Sequence, residues 1–231
     1  MPSRDLRDWI QGAEELGELK RIDGADWDVE IGAITELGHH RGEDSDALLF
    51  DNIKGYPTGY RVLSNTLNTT KRLAMTLHMD TNCTRLEFVK DIKRHVAQVK
   101  HIKPEFVKDG PVMENVIEDN DFDMWKFPTP KWHEQDGGRY IGTGSVDITR
   151  DPDDGWVNLG TYRVMVHDRD VLGFYISPGK LRTHHARQVF CARTILQSGR
   201  LVRSGPAVIS RRRHGDSTRR VRIRMGRRTA R

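Results

Sequence analysis

From Arg139 to Ser177 the chain carries three strand-length runs, Tyr140 to Thr149, Trp156 to His167 and Val171 to Ser177. They are joined by Asp151-Pro152-Asp153-Asp154-Gly155 and by His167-Asp168-Arg169-Asp170, both polar and turn-forming. Strands connected this tightly pair antiparallel, because a parallel pair needs a long crossover. The region is therefore expected to be an antiparallel meander that opens a β-rich domain.

Upstream the texture is different. Leu6, Trp9, Ile10, Ala13 and Leu16 recur at helical spacing, with Ser3 as the expected N-cap and Gly17 as the stop. A second helix is expected over Glu30 to His40, ending before Gly42. Strands are expected at Ala47 to Phe50 and Tyr60 to Ser64, on either side of the turn-like Lys54-Gly55-Tyr56-Pro57. Helices follow over Thr70 to His78 and Thr84 to Val99, and Leu86, Val89, Ile92, Val96 and Val99 share one face of the latter. Together these make an α/β domain over residues 1–115. A Pro-bearing passage, Pro111 through Pro128 and Pro130, leads into the β-rich part over residues 116–180.

The charge is divided sharply along the chain. Residues 181–231 hold fifteen arginines, no lysine and one acid, Asp216, a net +14. The first 180 residues hold 23 basic and 32 acidic side chains, a net −9. A basic tail of this kind can be a nucleic-acid-binding arm, but this one lacks the interleaved aromatic residues on which single-stranded bases stack. The expectation is no nucleic-acid partner. No apolar run approaches the 18 residues of a membrane span, and MPSRDLRDWIQ has no apolar signal core. Cys83 and Cys191 form no CxxC pair, so neither a disulfide framework nor a zinc site is expected, and a reducing cytoplasm is the default.

Several residues could carry chemistry. Asp136-Gly137-Gly138 reads first as a turn. Asn158 and Arg163 stand five apart in one strand-like run, which puts them on opposite faces unless a bulge at Gly160 intervenes. Ser177-Pro178-Gly179-Lys180 is a small-residue corner with a cation, suited to a phosphate or to a turn. His39-His40 reads as a solvated pair at a helix end, Trp132 and His133 as cavity-lining or packing residues, and Cys83 as an inert thiol.

The run DGGRYIGTGSVDITRDPDDGWVNLGTYRVMVHDRDVLGFYISPGK resembles the flavin-binding region of the UbiD-like carboxylase/decarboxylase family. The likeness continues upstream through DLRDWIQGAEELGELKRI, ALLFDNIKGYP and FPTPKWHEQDGG, about 180 residues in matching order and spacing. It implies an α/β N-terminal domain followed by the start of an antiparallel β-barrel of the flavin-reductase-like split-barrel kind. It also implies prenylated FMN and a divalent metal, usually manganese, with potassium as a further candidate cation. Asn158 matches the family's metal ligand, and Thr161, Tyr162 and Arg163 match a flavin-lining segment. Arg163 matches the arginine that faces the substrate carboxylate. Tyr175, Ile176, Ser177 and Lys180 match the second flavin-lining strand and its corner. The chemistry fits these residue types. Loss of CO₂ from an aromatic acid leaves an electron pair that no side chain can absorb, so a cofactor sink is needed, and a guanidinium orients a carboxylate by bidentate hydrogen bonds. The implied partner is a hydroxybenzoate-like acid, and the implied full-length protein is a homo-oligomer.

Beyond Lys180 the resemblance stops. The family supplies a metal-binding His where this chain has Leu181, then a metal-binding Glu and catalytic Glu residues. Read one frame over, codons for Arg182 to Arg193 permit GRIMRDKYFAR, those around Gly205 to Ser210 permit DPLLFL, and those for Gly215 to Arg231 permit AIPPGVSEYAWAGALR. All three resemble the family's continuation, in order. A one-nucleotide insertion at codon 181 is therefore expected, with residues 181–231 an out-of-frame, disordered tail. The two functional readings are a UbiD-type decarboxylase and an inactive, truncated remnant of one.

Overall fold

Asp5 starts the first helix: its side chain accepts from the backbone N–H groups of Arg7 and Asp8 at the head of α1, Leu6–Glu15. The cap is thus Asp5 and not Ser3, because only a residue immediately ahead of the first turn reaches its free N–H groups. Gly17, at φ +69°, lets the chain leave the helix. The computed structural model describes residues 5–100, 116–117, 122–142, 144–150, 157–175, 193–195, 201–202 and 220–222. The chain divides into two units, residues 1–26 with 30–110, and residues 27–29 with 111–231.

The first unit is built on a three-stranded sheet in the order β1, β2, β3: Leu19–Asp23, Ala47–Asp51 and Val62–Ser64. β1 runs parallel to β2, with Leu19 opposite Ala47, and β3 runs antiparallel to it, with Leu49 opposite Leu63. β1 was not anticipated, because Leu19-Lys20-Arg21-Ile22-Asp23 has too many charges to read as a strand. Ala47, Leu48, Leu49 and Phe50 are all buried, as a strand covered on both faces requires. One face packs Ala47 and Leu49 against Trp9, Ile10 and Ala13 of α1. α2, Glu30–His39, lies on the opposite face: Ser64 stands opposite Leu48, Thr35 Oγ1 lies 2.9 Å from Ser64 Oγ, the Thr35 carbonyl accepts from Asn65 Nδ2, and a Cβ at Gly38 would meet the Leu48 side chain.

α3, Thr70–Thr76, is capped by Thr69 and carries Arg72, whose side chain is completely buried. α4, Arg85–Gln98, begins with a reciprocal capping box between Thr84 and Glu87. The expected apolar face of α4 is not a buried one. Leu86 is 64% exposed and Val96 63%, and Phe88 is the residue that α4 buries. Periodicity selects residues that share a face; it does not supply something to cover them.

In the second unit, the runs read as long single strands are each broken in two. Tyr140 to Thr149 splits into β4, Arg139–Gly142, and β5, Val146–Arg150; Trp156 to His167 splits into β6, Val157–Gly160, and β7, Arg163–Asp168. β4 pairs with β7 and β5 with β6, all antiparallel, so the two runs still form one hairpin, bent so that its halves enter different sheets. The break in the second run follows from Gly160, where a Cβ would sit 2.5 Å from the Tyr162 ring. β8, Val171–Tyr175, completes the meander beside β7. Within residues 181–231 the described residues form three short strands: β9, Arg193–Ile195, β10, Leu201–Val202, and β11, Arg220–Arg222. The sheets run β10-β9-β5-β6 and β11-β8-β7-β4. The Asp151 to Gly155 turn lies outside the described residues.

Burial on β7 alternates as a half-covered strand should. Val164 and Val166 join Phe122, Met124 and Leu172 in the core, with Trp125, Phe127 and Ile141 packed around it. A 3-10 turn at Met124–Lys126, capped by Asp123, brings these residues up. It is fastened to the β7–β8 turn by Met124 N–H donating to the Arg169 carbonyl at 2.8 Å and Arg169 Nε donating to the Phe122 carbonyl at 3.1 Å.

Candidate active site

The same alternation that buries Val164 and Val166 turns Arg163, Met165 and His167 to the opposite face of the sheet. Arg163, the first residue of β7, stands opposite Tyr175, the last of β8. Met165 stands opposite both Gly173 and Tyr140. His167 lies so close over Gly173 that a side chain at 173 would meet the imidazole. Arg163 is exposed, and among the described residues it forms no salt bridge. Its guanidinium carbon lies 5.8 Å from the centre of the Tyr140 ring. This face therefore offers a planar cation, without a salt bridge among the described residues, beside an aromatic ring, an arrangement that can take a carboxylate in the guanidinium plane.

The other expected residues fall into three groups. Thr161 and Tyr162 form the two-residue crossing from β6 to β7, Thr161 exposed and Tyr162 half-buried, next to Arg163. Asn158 is on β6, opposite Thr149, in the other sheet. The question of whether Asn158 and Arg163 share a strand face is thus replaced: they are on different strands, and the crossing at Gly160 separates them. Ile176, Ser177 and Lys180 lie outside the described residues. No cluster of three or more His, Cys, Asp or Glu suited to a metal exists among the described residues. Asn158 alone does not constitute a metal site.

A clasp supports β4 from behind. The Arg139 guanidinium lies 3.9 Å from the centre of the Trp27 ring and 5.2 Å from that of Trp125. Its Nε donates to the Thr129 carbonyl at 2.6 Å. Trp132 Nε1 donates to the Tyr140 carbonyl at 3.1 Å, so Trp132 is a framework residue of this site. Asp136 is a turn residue: its carboxylate accepts from His133 N–H at 3.0 Å. His39 and His40 are exposed at the end of α2, His39 beside Asn68 and His40 beside Glu36. Sequence reading missed Tyr140, Met165 and His167, since their shared face with Arg163 depends on where the long runs break.

Residues 10–92 match the family model of the 3-octaprenyl-4-hydroxybenzoate carboxy-lyase N-terminal domain, and residues 105–197 match that of the Rift-related domain of the same enzymes. The chain belongs to the UbiD family. The second UbiD match runs past Lys180, where family likeness was expected to stop. The phenolic acid decarboxylase of Sedimentibacter hydroxybenzoicus is 33% identical over 178 residues, 74% of this chain and 36% of that protein. Among solved structures, the closed form of vanillic acid decarboxylase from the same organism superposes with a TM-score of 0.74 at 27% identity, over 83% of this chain and 42% of that one. An evolved dimeric form of the UbiD-class enzyme HmfF from Pelotomaculum thermopropionicum, in complex with prFMN, gives 0.68 at 27% identity, over 83% and 44%. The chain spans about two fifths of the length of the UbiD relatives it matches. No helix among the described residues is long and apolar enough to cross a membrane.

Proposed function

We propose that this chain carries the carboxylate-binding and flavin-lining side of a decarboxylase acting on aromatic, hydroxybenzoate-like acids. The single observation that carries the proposal is Arg163, exposed at the start of β7, without a salt bridge among the described residues, and directly opposite Tyr175. Thr161, Tyr162, Tyr175, Ile176, Ser177 and Lys180 would line prenylated FMN. Asn158 would give one amide oxygen to a manganese ion whose remaining ligands are not among the described residues. Bound there, the flavin would supply the electron sink for departing CO₂. Arg163 would hold the substrate carboxylate through two N–H donors, keeping the C–C bond to be broken fixed in direction. The vacated ring carbon then needs a proton, which the family takes from a downstream Glu.

The arginine-rich composition after Leu181 favours a second reading alongside the first: a reading-frame change at that codon, leaving an inactive, truncated remnant of such a decarboxylase with no catalysis of its own. Resequencing codons 175–240 and restoring the frame tests both. The frame-restored protein, given prenylated FMN and manganese, should release CO₂ from an aromatic acid, and Arg163→Met in it should not. No decarboxylation of any aromatic acid by that protein refutes the first reading. Clean DNA without a family-like second frame refutes the other.

A further inference from the structure

We propose that Tyr140 is a positioning residue for Arg163, its ring serving as the surface that fixes the plane of the guanidinium for an incoming carboxylate. The inference rests on the carboxylate-binding role given to Arg163 above. Tyr140 and Arg163 are diagonal neighbours: Tyr140 is opposite Met165, two residues along β7, on the same face. Diagonal neighbours on antiparallel strands are within reach when one side chain is aromatic and the other long. The 5.8 Å from guanidinium carbon to ring centre lies within the range of a cation–π contact.

The backbone that carries the ring is held on two sides. Tyr140 N–H donates to the Pro130 carbonyl at 2.9 Å, and its own carbonyl accepts from Trp132 Nε1. The register shifts between Tyr140 and Gly142, and Ile141, the residue passed over, packs against the Val164 core. That sends Tyr140 to the opposite face, where Arg163 is. A long arginine on an exposed strand start samples many rotamers, and ordering it costs free energy on ligand binding. An aromatic face pre-sets that order, and a contact made with the flat of the guanidinium would use none of its donors and leave the N–H edge open. The phenol oxygen plays no part, so phenylalanine should serve equally.

The test is titration of 4-hydroxybenzoate into the full chain, followed through the Arg163 Nε–Hε resonance, which is assigned by its loss in Arg163→Met. Tyr140→Leu should weaken binding by about two- to fivefold and remove the ring-current shift of that resonance. Tyr140→Phe should retain both. In the Arg163→Met background, Tyr140→Leu should change nothing further, because it acts through Arg163. Tyr140→Val is carried in parallel, so that a folding defect in one variant leaves the other to decide. Equal weakening in both backgrounds, or a Tyr140→Phe chain as weak as Tyr140→Leu, overturns the positioning role. Unchanged binding in Tyr140→Leu does the same. If the wild-type chain binds no 4-hydroxybenzoate, or Arg163→Met binds it as well as wild type, the carboxylate role of Arg163 itself fails, and with it the role of Tyr140.

Discussion

Replacing Arg72 by methionine tests the largest polar commitment in the first unit. The arginine is completely buried. One terminal nitrogen donates to Glu18 Oε2 at 2.8 Å and to the Ser45 carbonyl at 2.5 Å, and the other donates to Ser45 Oγ at 3.2 Å. Its Nε has no partner among the described residues, and burial pulls its pKa down against the opposing pull of Glu18. Methionine fills much of the volume but strands the Ser45 carbonyl. Removing one member of a buried ion pair costs about 3–5 kcal/mol. Here Glu18 keeps Lys71 Nζ at 3.2 Å and a side chain 17% exposed, so the stranded carboxylate is partly compensated. The expected loss is about 2–4 kcal/mol. Urea unfolding should show it as a lower midpoint with an unchanged slope. In a Glu18→Gln background the same change should cost about 1–2 kcal/mol less, because no charge is left behind. A loss under about 1 kcal/mol, or strict additivity of the two changes, would refute the view that this pair is energetically coupled.

Arg139→Lys should destabilise the second unit by about 2 kcal/mol, since lysine can neither lie flat between Trp27 and Trp125 nor donate from Nε to Thr129. Faster hydrogen exchange at the Lys131 amide, which donates to the Trp27 carbonyl, is the readout; unchanged exchange contradicts it. Val29 is a β-branched residue at φ +69°, a conformation that costs about 1–3 kcal/mol. Val29→Gly should therefore leave stability within about 0.5 kcal/mol of wild type, strain relief offsetting the lost side chain and the freer unfolded chain, and a loss near 3 kcal/mol counts against strain. The Arg21 guanidinium, 2.7 Å from Glu14, holds that carboxyl below its ordinary range. A depressed folded pKa stabilises above the unfolded value and is lost as pH falls through the folded one. Wild type and Glu14→Gln should thus differ near neutrality and converge below the ordinary glutamate value, and curves that stay parallel into acid would exclude the coupling.

Much of the first unit was legible because its signals are local. Caps, helical spacing and the apolar run at Ala47 to Phe50 each act within a few residues. β1 escaped because three of its five side chains are charged, and its strand character comes from pairing with β2. In the second unit, the antiparallel order was legible from the short turns. Gly160 marked a place where the second run could break, but the break at Gly142 to Val146 was not legible, since the residues on either side still look like strand. Those breaks decide which residues face Arg163, so Tyr140 and His167 could not be found from spacing.

Residues 27–29 belong with the second unit, tied to Lys131 by the Val29 amide and the Trp27 carbonyl, although the chain on both sides of them belongs to the first. During synthesis these residues leave the ribosome roughly a hundred residues before Lys131, which at usual elongation rates is a wait of about 5–20 s. The first unit can thus form while this short stretch still lacks its strand partner and the arginine that will cover its tryptophan. A single cut between residues 110 and 111 cannot yield two intact halves, for the C-terminal piece would lack Trp27. Joining the 27–29 stretch to that piece, in trans or through a linker, should recover what the cut removes.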